Sequence, residues 1–351
     1  MHQGRAICHA ILGAALFRST EALLPSSHLG LSLRRGLHKA ASLHRKAGET
    51  MSGSAFLATC SSSRRIVTKF TARTQKEGAG FLVRRPIGSG QITDEQADPF
   101  LLLDHLPRTN YAPGEFPGAP WHPHRGFDTV MYLLEGQGSH EDSMGNKGTL
   151  YAGDCQWMTA GSGIQHNEGT GHPGGWMHGF QCWINLPKAD KMCPPAYQDI
   201  RAASIPEVQC TDTVSAKVIA GTCAGADAVC QTRVPVQYLD FRVKKGGSFE
   251  HTLDPELATA ICYVYKGSGK FGPDAVKCSE GDTLLLSEAG SVAFSADEED
   301  MGFLLLAGRP IREPIARYGP FVMNTDAEIQ QAIADYQAGT LCQVKGTYVA
   351  K

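Results

Sequence analysis

Four side chains in the middle of the chain have the types and spacing of a metal site. His122-Pro123-His124 sets two imidazoles two residues apart, and His166-Asn167-Glu168 does the same with an imidazole and a carboxylate. In extended backbone, residues i and i+2 point to the same face. Two such pairs on neighbouring strands therefore converge on a barrel interior. Three neutral imidazoles and one carboxylate suit borderline divalent metals and leave coordination positions open for water or substrate. Open positions of this kind suit iron(II) and oxygen; zinc, nickel, copper and manganese fit the same donors, because affinity alone does not choose the metal. A lone histidine is more often an ordinary hydrogen-bonded side chain. The pairing makes His122, His124, His166 and Glu168 a candidate ligand set. Asp128, on the strand after His124, is expected behind the ligands or at the surface. His140, His172 and His178 have no partner arrangement and are read as ordinary side chains.

The elements that must position these groups read as strands. Val130–Leu134 is an apolar run ending in Glu135-Gly136-Gln137-Gly138, and Ile261–Tyr265 is a similar run ending in Lys266-Gly267-Ser268-Gly269. Each is followed by a Gly-Asp turn opening another apolar strand, Gly153-Asp154 before Cys155–Met158 and Gly281-Asp282 before Thr283–Leu286. Short strands with glycine turns indicate a sandwich or barrel, and the repeated series indicates a duplicated one. The expected fold is all-β: two antiparallel β-sandwich or jelly-roll barrels. A short C-terminal helix follows, with a capping-box spacing at Thr325 and Glu328, an apolar face of Ile329, Ala332, Ile333 and Tyr336, and a stop at Gly339. Residues 61–195 are assigned to the first barrel and 196–351 to the second with its helix. Aligning Gly161 on Gly290 sets Ser295 opposite His166 and Asp297 opposite Glu168, and His251 is the sole histidine after His178. The second barrel is therefore expected to be metal-free.

Bulk properties bound the rest. The 351 residues exceed one usual core, which favours two domains. A net charge of −2 gives no electrostatic reason for direct nucleic-acid or membrane-surface binding. The 11 cysteines are scattered without a Cys-x-x-Cys pair, as expected of reduced, mostly buried thiols. No apolar run approaches the ~20 residues of a membrane span. Residues 1–60 differ from the rest: Arg5, Arg18, Arg34, Arg35, Lys39, Arg45 and Lys46 stand against the single acid Glu21 in the first 48 residues. This acid-poor, cationic bias is that of a transit peptide to a mitochondrion or chloroplast. A secretory signal over Ala6 to Phe17 is disfavoured by His9 within it. The alternatives are a disordered tail or an upstream extension of a true start at Met51, which would leave the protein in the cytoplasm or nucleus.

From about Ser61 to the C-terminal helix the chain resembles the pirin family. The matching segments are Asp98-Pro-Phe-Leu-Leu-Leu-Asp104, His122-Pro-His-Arg-Gly-Phe127, Tyr132-Leu-Leu-Glu-Gly136, Gly153-Asp-Cys-Gln-Trp-Met-Thr-Ala-Gly161 and Arg312-Glu-Pro314 through Gly319-Pro-Phe-Val-Met-Asn-Thr325. The resemblance implies a bicupin with one iron in the N-terminal barrel, held by His122, His124, His166 and Glu168. It implies either quercetin ring opening with molecular oxygen or a role as an iron-dependent transcriptional coregulator. The chain departs from the family pattern beside the ligands, with Ser162 for an arginine, Gln165 and Asn167 for apolar residues, and Asp128 for a glutamate. These departures bear on substrate and redox tuning more than on metal binding.

Two functions follow as expectations. One is a quercetin 2,3-dioxygenase-type enzyme acting on a flavonol-like aromatic and O2, with Glu168 as ligand and as base for the substrate hydroxyl. Arg125 would then either steady an anion or form a structural salt bridge. The other is a non-catalytic, iron-sensing interaction protein that contacts a protein partner. A monomer is expected in either case.

Overall fold

The computed structural model describes residues 63–169 and 171–351. The N-terminal extension read as an organellar signal lies outside the described residues. Two barrels are present, each a large sheet facing a four-stranded one. In the first, the large sheet runs Arg73–Glu77, Phe81–Ile87, Phe100–Tyr111, Gly175–Asn185, Phe127–Glu135, Cys155–Thr159, Ala196–Ile200 and Thr347–Ala350. Its four-stranded sheet runs Ala119–His124, Ile164–Glu168, Gln137–Asp142 and Lys147–Tyr151. The second barrel repeats the plan, with Gly247–His251, Val292–Ala296, Ser268–Phe271 and Val276–Ser279 as its small sheet.

The large sheets pack against each other, which explains why their central strands are apolar on both faces. Along Phe127–Glu135, Val130 and Tyr132 join a core shared with Ile219, Tyr238, Ile261 and Leu304 of the second barrel. Met131 and Leu133, of opposite parity, point into the first barrel. At this interface the fully buried Asp240 carboxylate accepts hydrogen bonds from Tyr132 (2.8 Å) and Tyr265 (2.5 Å), which meet its need for partners.

A cut after residue 195 does not divide the sheets. The strand Ile66–Thr71 pairs with Asp282–Leu286 of the second barrel, so the first described strand leaves its own half. Conversely, Ala196–Ile200 pairs with Cys155–Thr159, and Thr347–Ala350 adds to it in parallel, so both ends of the second half close the first barrel. Each barrel thus covers an edge of the other with a borrowed strand, satisfying backbone groups that an open edge would expose.

Strand pairing also corrects the alignment of the two copies. In the first barrel His166 lies opposite His122 and Ile164 opposite His124. In the second, Phe294 lies opposite Phe249 and Val292 opposite His251. The equivalents of His122, His124 and His166 are therefore Phe249, His251 and Phe294, with Ala296 ending its strand as Glu168 does. The glycine-based alignment that chose Ser295 and Asp297 is off by one residue, because the turn after Gly161 is one residue longer than the turn after Gly290. Such a slip exchanges the faces of every side chain. Phe294 packs inside the barrel with Phe241, Phe271 and Phe303, whereas Asp297 is an exposed partner of Lys270.

The C-terminal helix spans Asp326–Ala338. Thr325 and Glu328 form the reciprocal capping box, and Gly339 ends the helix at φ 73°. Ile329 and Ala332 are buried, with Ile333 and Tyr336 packed beside them against Phe321 and Met323. A four-residue helix, Asp94–Ala97, capped by Thr93 and Gln96, precedes the long strand of the first barrel.

Candidate metal centre

The strands Ala119–His124 and Ile164–Glu168 are antiparallel neighbours, so the two i, i+2 pairs face the same interior. The imidazoles of His122, His124 and His166 offer nitrogen atoms that all lie within 4.8 Å of one another. Ring centroids are 4.4 Å apart for His122 and His166, 4.7 Å for His122 and His124, and 5.0 Å for His124 and His166. Glu168 Oε1 lies 4.0 Å from His166 Nδ1, at the edge of the cluster.

Backbone carbonyls set the tautomers of two rings. His122 Nδ1 donates to Pro120 O at 2.7 Å, and His124 Nδ1 faces Pro320 O at 3.4 Å. A carbonyl only accepts, so these nitrogens carry the protons and Nε2 of each ring keeps its lone pair. His166 is fully buried, and neither of its ring nitrogens has a hydrogen-bond partner. Leaving a buried imidazole so unpaired is costly, and a cation among the three rings would restore a partner. Burial lowers the pKa of all three imidazoles, and for His124 and His166 the neighbouring rings lower it further. Neutral imidazoles are the form that ligates a metal. Burial acts oppositely on Glu168, raising its carboxyl to about 7. The donor set therefore fits a divalent metal.

The cluster opens into a cavity of about 320 Å³ between the two sheets. His122, His124 and Glu168 form part of its wall, which explains why His122 and Glu168 keep some accessible surface deep inside the barrel. Much of the remaining wall is apolar, including Phe81, Phe116, Trp121, Leu133, Met177 and Trp183. Of the aromatics flanking the ligands in sequence, Trp121 lines the cavity. Phe127 backs His124 at 5.1 Å, while Trp157 and Phe180 belong to the inter-barrel core.

Other residues singled out from the sequence fall as follows. Arg125 is a structural link, bonding Ser162 O (2.6 Å) and the Asp335 carboxylate (2.7 Å). Asp128 is buried and accepts from Trp157 Nε1 at 2.8 Å, away from the imidazoles. His140 is a buried, hydrogen-bonded histidine, in keeping with its reading as an ordinary side chain. It lies opposite Glu168 in the adjacent strand, lines the cavity, and is held by Asp199 at 3.2 Å. Alternation within Gln137–Asp142 puts His140 and Asp142 on the buried face, but the partner, Asp199, comes from the borrowed strand and leaves no local signal. His105 and His178 also meet, 3.0 Å apart between their Nε2 atoms, with Tyr263 of the second barrel on the far side of His105.

Comparison with known proteins agrees with this architecture. The Pirin family model matches residues 80–184, and the model of the Pirin C-terminal cupin domain matches residues 238–342. A pirin-like protein of Solanum lycopersicum is 43% identical over 278 residues, covering 79% of this chain and 92% of the relative. Human pirin is 41% identical over 282 residues, covering 79% of this chain and 93% of its own. The crystal structure of a quercetin 2,3-dioxygenase from Acinetobacter baumannii superposes with a TM-score of 0.75 at 36% identity, covering 80% of this chain and 99% of that one. Two matched domains in order, relatives aligned over most of their length, and a shared two-barrel fold place this chain in the pirin family, as a pirin-type cupin protein.

Proposed function

We propose that the protein is a metal-dependent dioxygenase of the quercetinase type, with iron(II) held by His122, His124, His166 and Glu168. Its substrate would be a flavonol-like flat aromatic that reacts with O2. The observation that carries this reading is the cavity of about 320 Å³, mostly apolar, into which the imidazole cluster and one carboxylate open. That volume lies at the lower end of the ~300–1,000 Å³ typical of small-molecule sites. The resemblance to the Acinetobacter quercetin 2,3-dioxygenase supports the same substrate class.

The metal, when bound, supplies a Lewis acid for a ring hydroxyl and a redox centre for oxygen. The chain supplies position and proton handling. Trp183 and Phe116, both in the cavity wall, confine a flat ring and exclude water. Glu168, which lines the cavity at the cluster edge, receives the proton of the substrate hydroxyl. Pro120 and Pro320 carbonyls hold His122 and His124 in the ligating tautomer.

The test is metal content and oxygen uptake with quercetin, on protein prepared anaerobically with iron. Near-stoichiometric iron with uptake that vanishes in His166→Ala supports the enzyme. Glu168→Gln that retains iron and turns over at the wild-type rate removes Glu168 as the base. Bound iron without uptake favours the rival reading, an iron-sensing interaction protein. One observation speaks for that rival: Arg125, next to His124, is tied to Asp335 of the C-terminal helix, so the ligand strand has a direct link to the surface.

A further inference from the structure

Facing the imidazoles across the cavity, the large sheet carries one row with three polar side chains, Asp104, Gln181 and Gln156, between two mostly apolar rows. Asp104, Gln181, Met131 and Gln156 are successive cross-strand neighbours on four strands, and all line the cavity. On one side the next row is Leu102, Trp183 and Thr129; on the other it is Leu106, Gly179 and Leu133. A polar row in the floor of an apolar slot needs partners.

Two of its members have them. Both oxygens of Asp104 accept from Arg85, at 2.7 and 2.6 Å, and Gln156 Nε2 donates to Asp199 Oδ1 at 2.8 Å. Gln181 is different: its side chain lines the cavity with its amide tied to no neighbour, Oε1 being the end withdrawn from the cavity surface. Arg317, at the side of the cavity, is similar. Its guanidinium lies 5.0 Å from the Trp183 ring and makes one hydrogen bond, from Nη1 to Leu101 O at 3.1 Å, out of five available donors.

We infer that Gln181 and Arg317 select the substrate, admitting flat aromatics that carry hydroxyl or carbonyl oxygens on the edge facing the large sheet. The ligand class rests on the dioxygenase reading above. An amide offers both a donor and an acceptor, and a guanidinium offers donors, so ring hydroxyls and carbonyls match them where a bare hydrocarbon edge does not. A bare edge displaces water from both groups and leaves them unpaired. Sites built to hydrogen-bond a substrate oxygen discriminate strongly against analogues that lack it. Asp104 contributes indirectly, by engaging Arg85 and leaving Arg317 free to face the ligand.

The test compares quercetin with 3-hydroxyflavone, which keeps the metal-facing oxygens but lacks the other hydroxyls. Dissociation constants are read by tryptophan quenching on the anaerobic, iron-loaded full-length protein, so turnover is not needed. Wild type is expected to prefer quercetin by about tenfold or more, the size of one or two buried hydrogen bonds. Gln181→Met should bring the ratio to within about twofold, and Arg317→Met should reduce it independently, which keeps the inference refutable if one variant does not fold. An unchanged ratio in folded Gln181→Met and Arg317→Met overturns the inference. Selective binding without oxygen uptake would uphold it and overturn the dioxygenase reading. Binding of neither flavonol overturns both.

Discussion

The guanidinium of Arg125 lies 2.7 Å from the carboxylate of Asp335, joining the residue after His124 to a helix 210 positions along the chain. The Arg125 side chain is 5% exposed and that of Asp335 25%, so the pair is largely withdrawn from water. Removing one partner strands the other charge. Asp335→Asn is expected to lower stability by about 1–3 kcal/mol, measured by urea unfolding. It should also weaken iron retention in equilibrium dialysis, because the strand end bearing His124 loses its anchor.

His166 and Phe294 are equivalent positions with opposite consequences. His166→Ala removes an imidazole that has no hydrogen bonds to lose, so it should abolish stoichiometric iron binding with little loss of apo-protein stability. Phe294→Ala empties the centre of an aromatic cluster and should cost about 3–5 kcal/mol. Metal analysis beside thermal unfolding of each variant checks both halves. Loss of iron in folded Phe294→Ala would contradict the division of labour.

Gly126 follows Arg125 with φ 91°, and a Cβ added there would fall on the Val322 carbonyl oxygen. That oxygen also accepts from the buried Lys191 ammonium at 3.0 Å, and Gly126 O accepts from the same ammonium at 2.9 Å. Gly126→Ala must therefore push apart the ligand strand and the C-terminal segment. A loss of at least about 2 kcal/mol is expected, with reduced iron content in whatever fraction folds.

Asp128 provides a pH signature unconnected with the metal. Burial raises its carboxyl to about 6 in the folded protein, against an opposing hydrogen bond from Trp157. The folded state therefore holds this proton between about pH 4 and 6 while the unfolded state has released it. Stability falls as pH rises through that window, and the penalty is complete above it. Asp128→Asn keeps an acceptor for Trp157 and removes the titration. The variant should match wild type near pH 4 and exceed it by up to about 3 kcal/mol near pH 7. A difference independent of pH in parallel denaturant titrations would refute the assignment.

Local pattern was enough to find the imidazoles of the candidate metal centre. The two i, i+2 pairs were legible because strand alternation is a property of a few consecutive residues, and the tertiary structure needed only to make the strands neighbours. The Thr325–Glu328 cap and the Gly339 stop were legible for the same reason, since each is completed within one turn. Duplication showed in the ordered glycine turns.

What depended on distant pairing was hidden. Aligning the copies by glycine chose Ser295, and one residue of turn length moved the true equivalent to Phe294. No local feature of Ile66–Thr71 or Thr347–Ala350 says that each closes the other half's barrel. The hydrogen-bonding partner of His140, Asp199, comes only with the borrowed strand, and Arg125 has two readings until Asp335 arrives. The row of Asp104, Gln181 and Gln156 exists only in register across separate strands. The sequence by itself determined which side chains share a face. The tertiary structure alone decided which faces meet, because sheet order and register are set by long-range closure and packing that no short stretch of chain encodes.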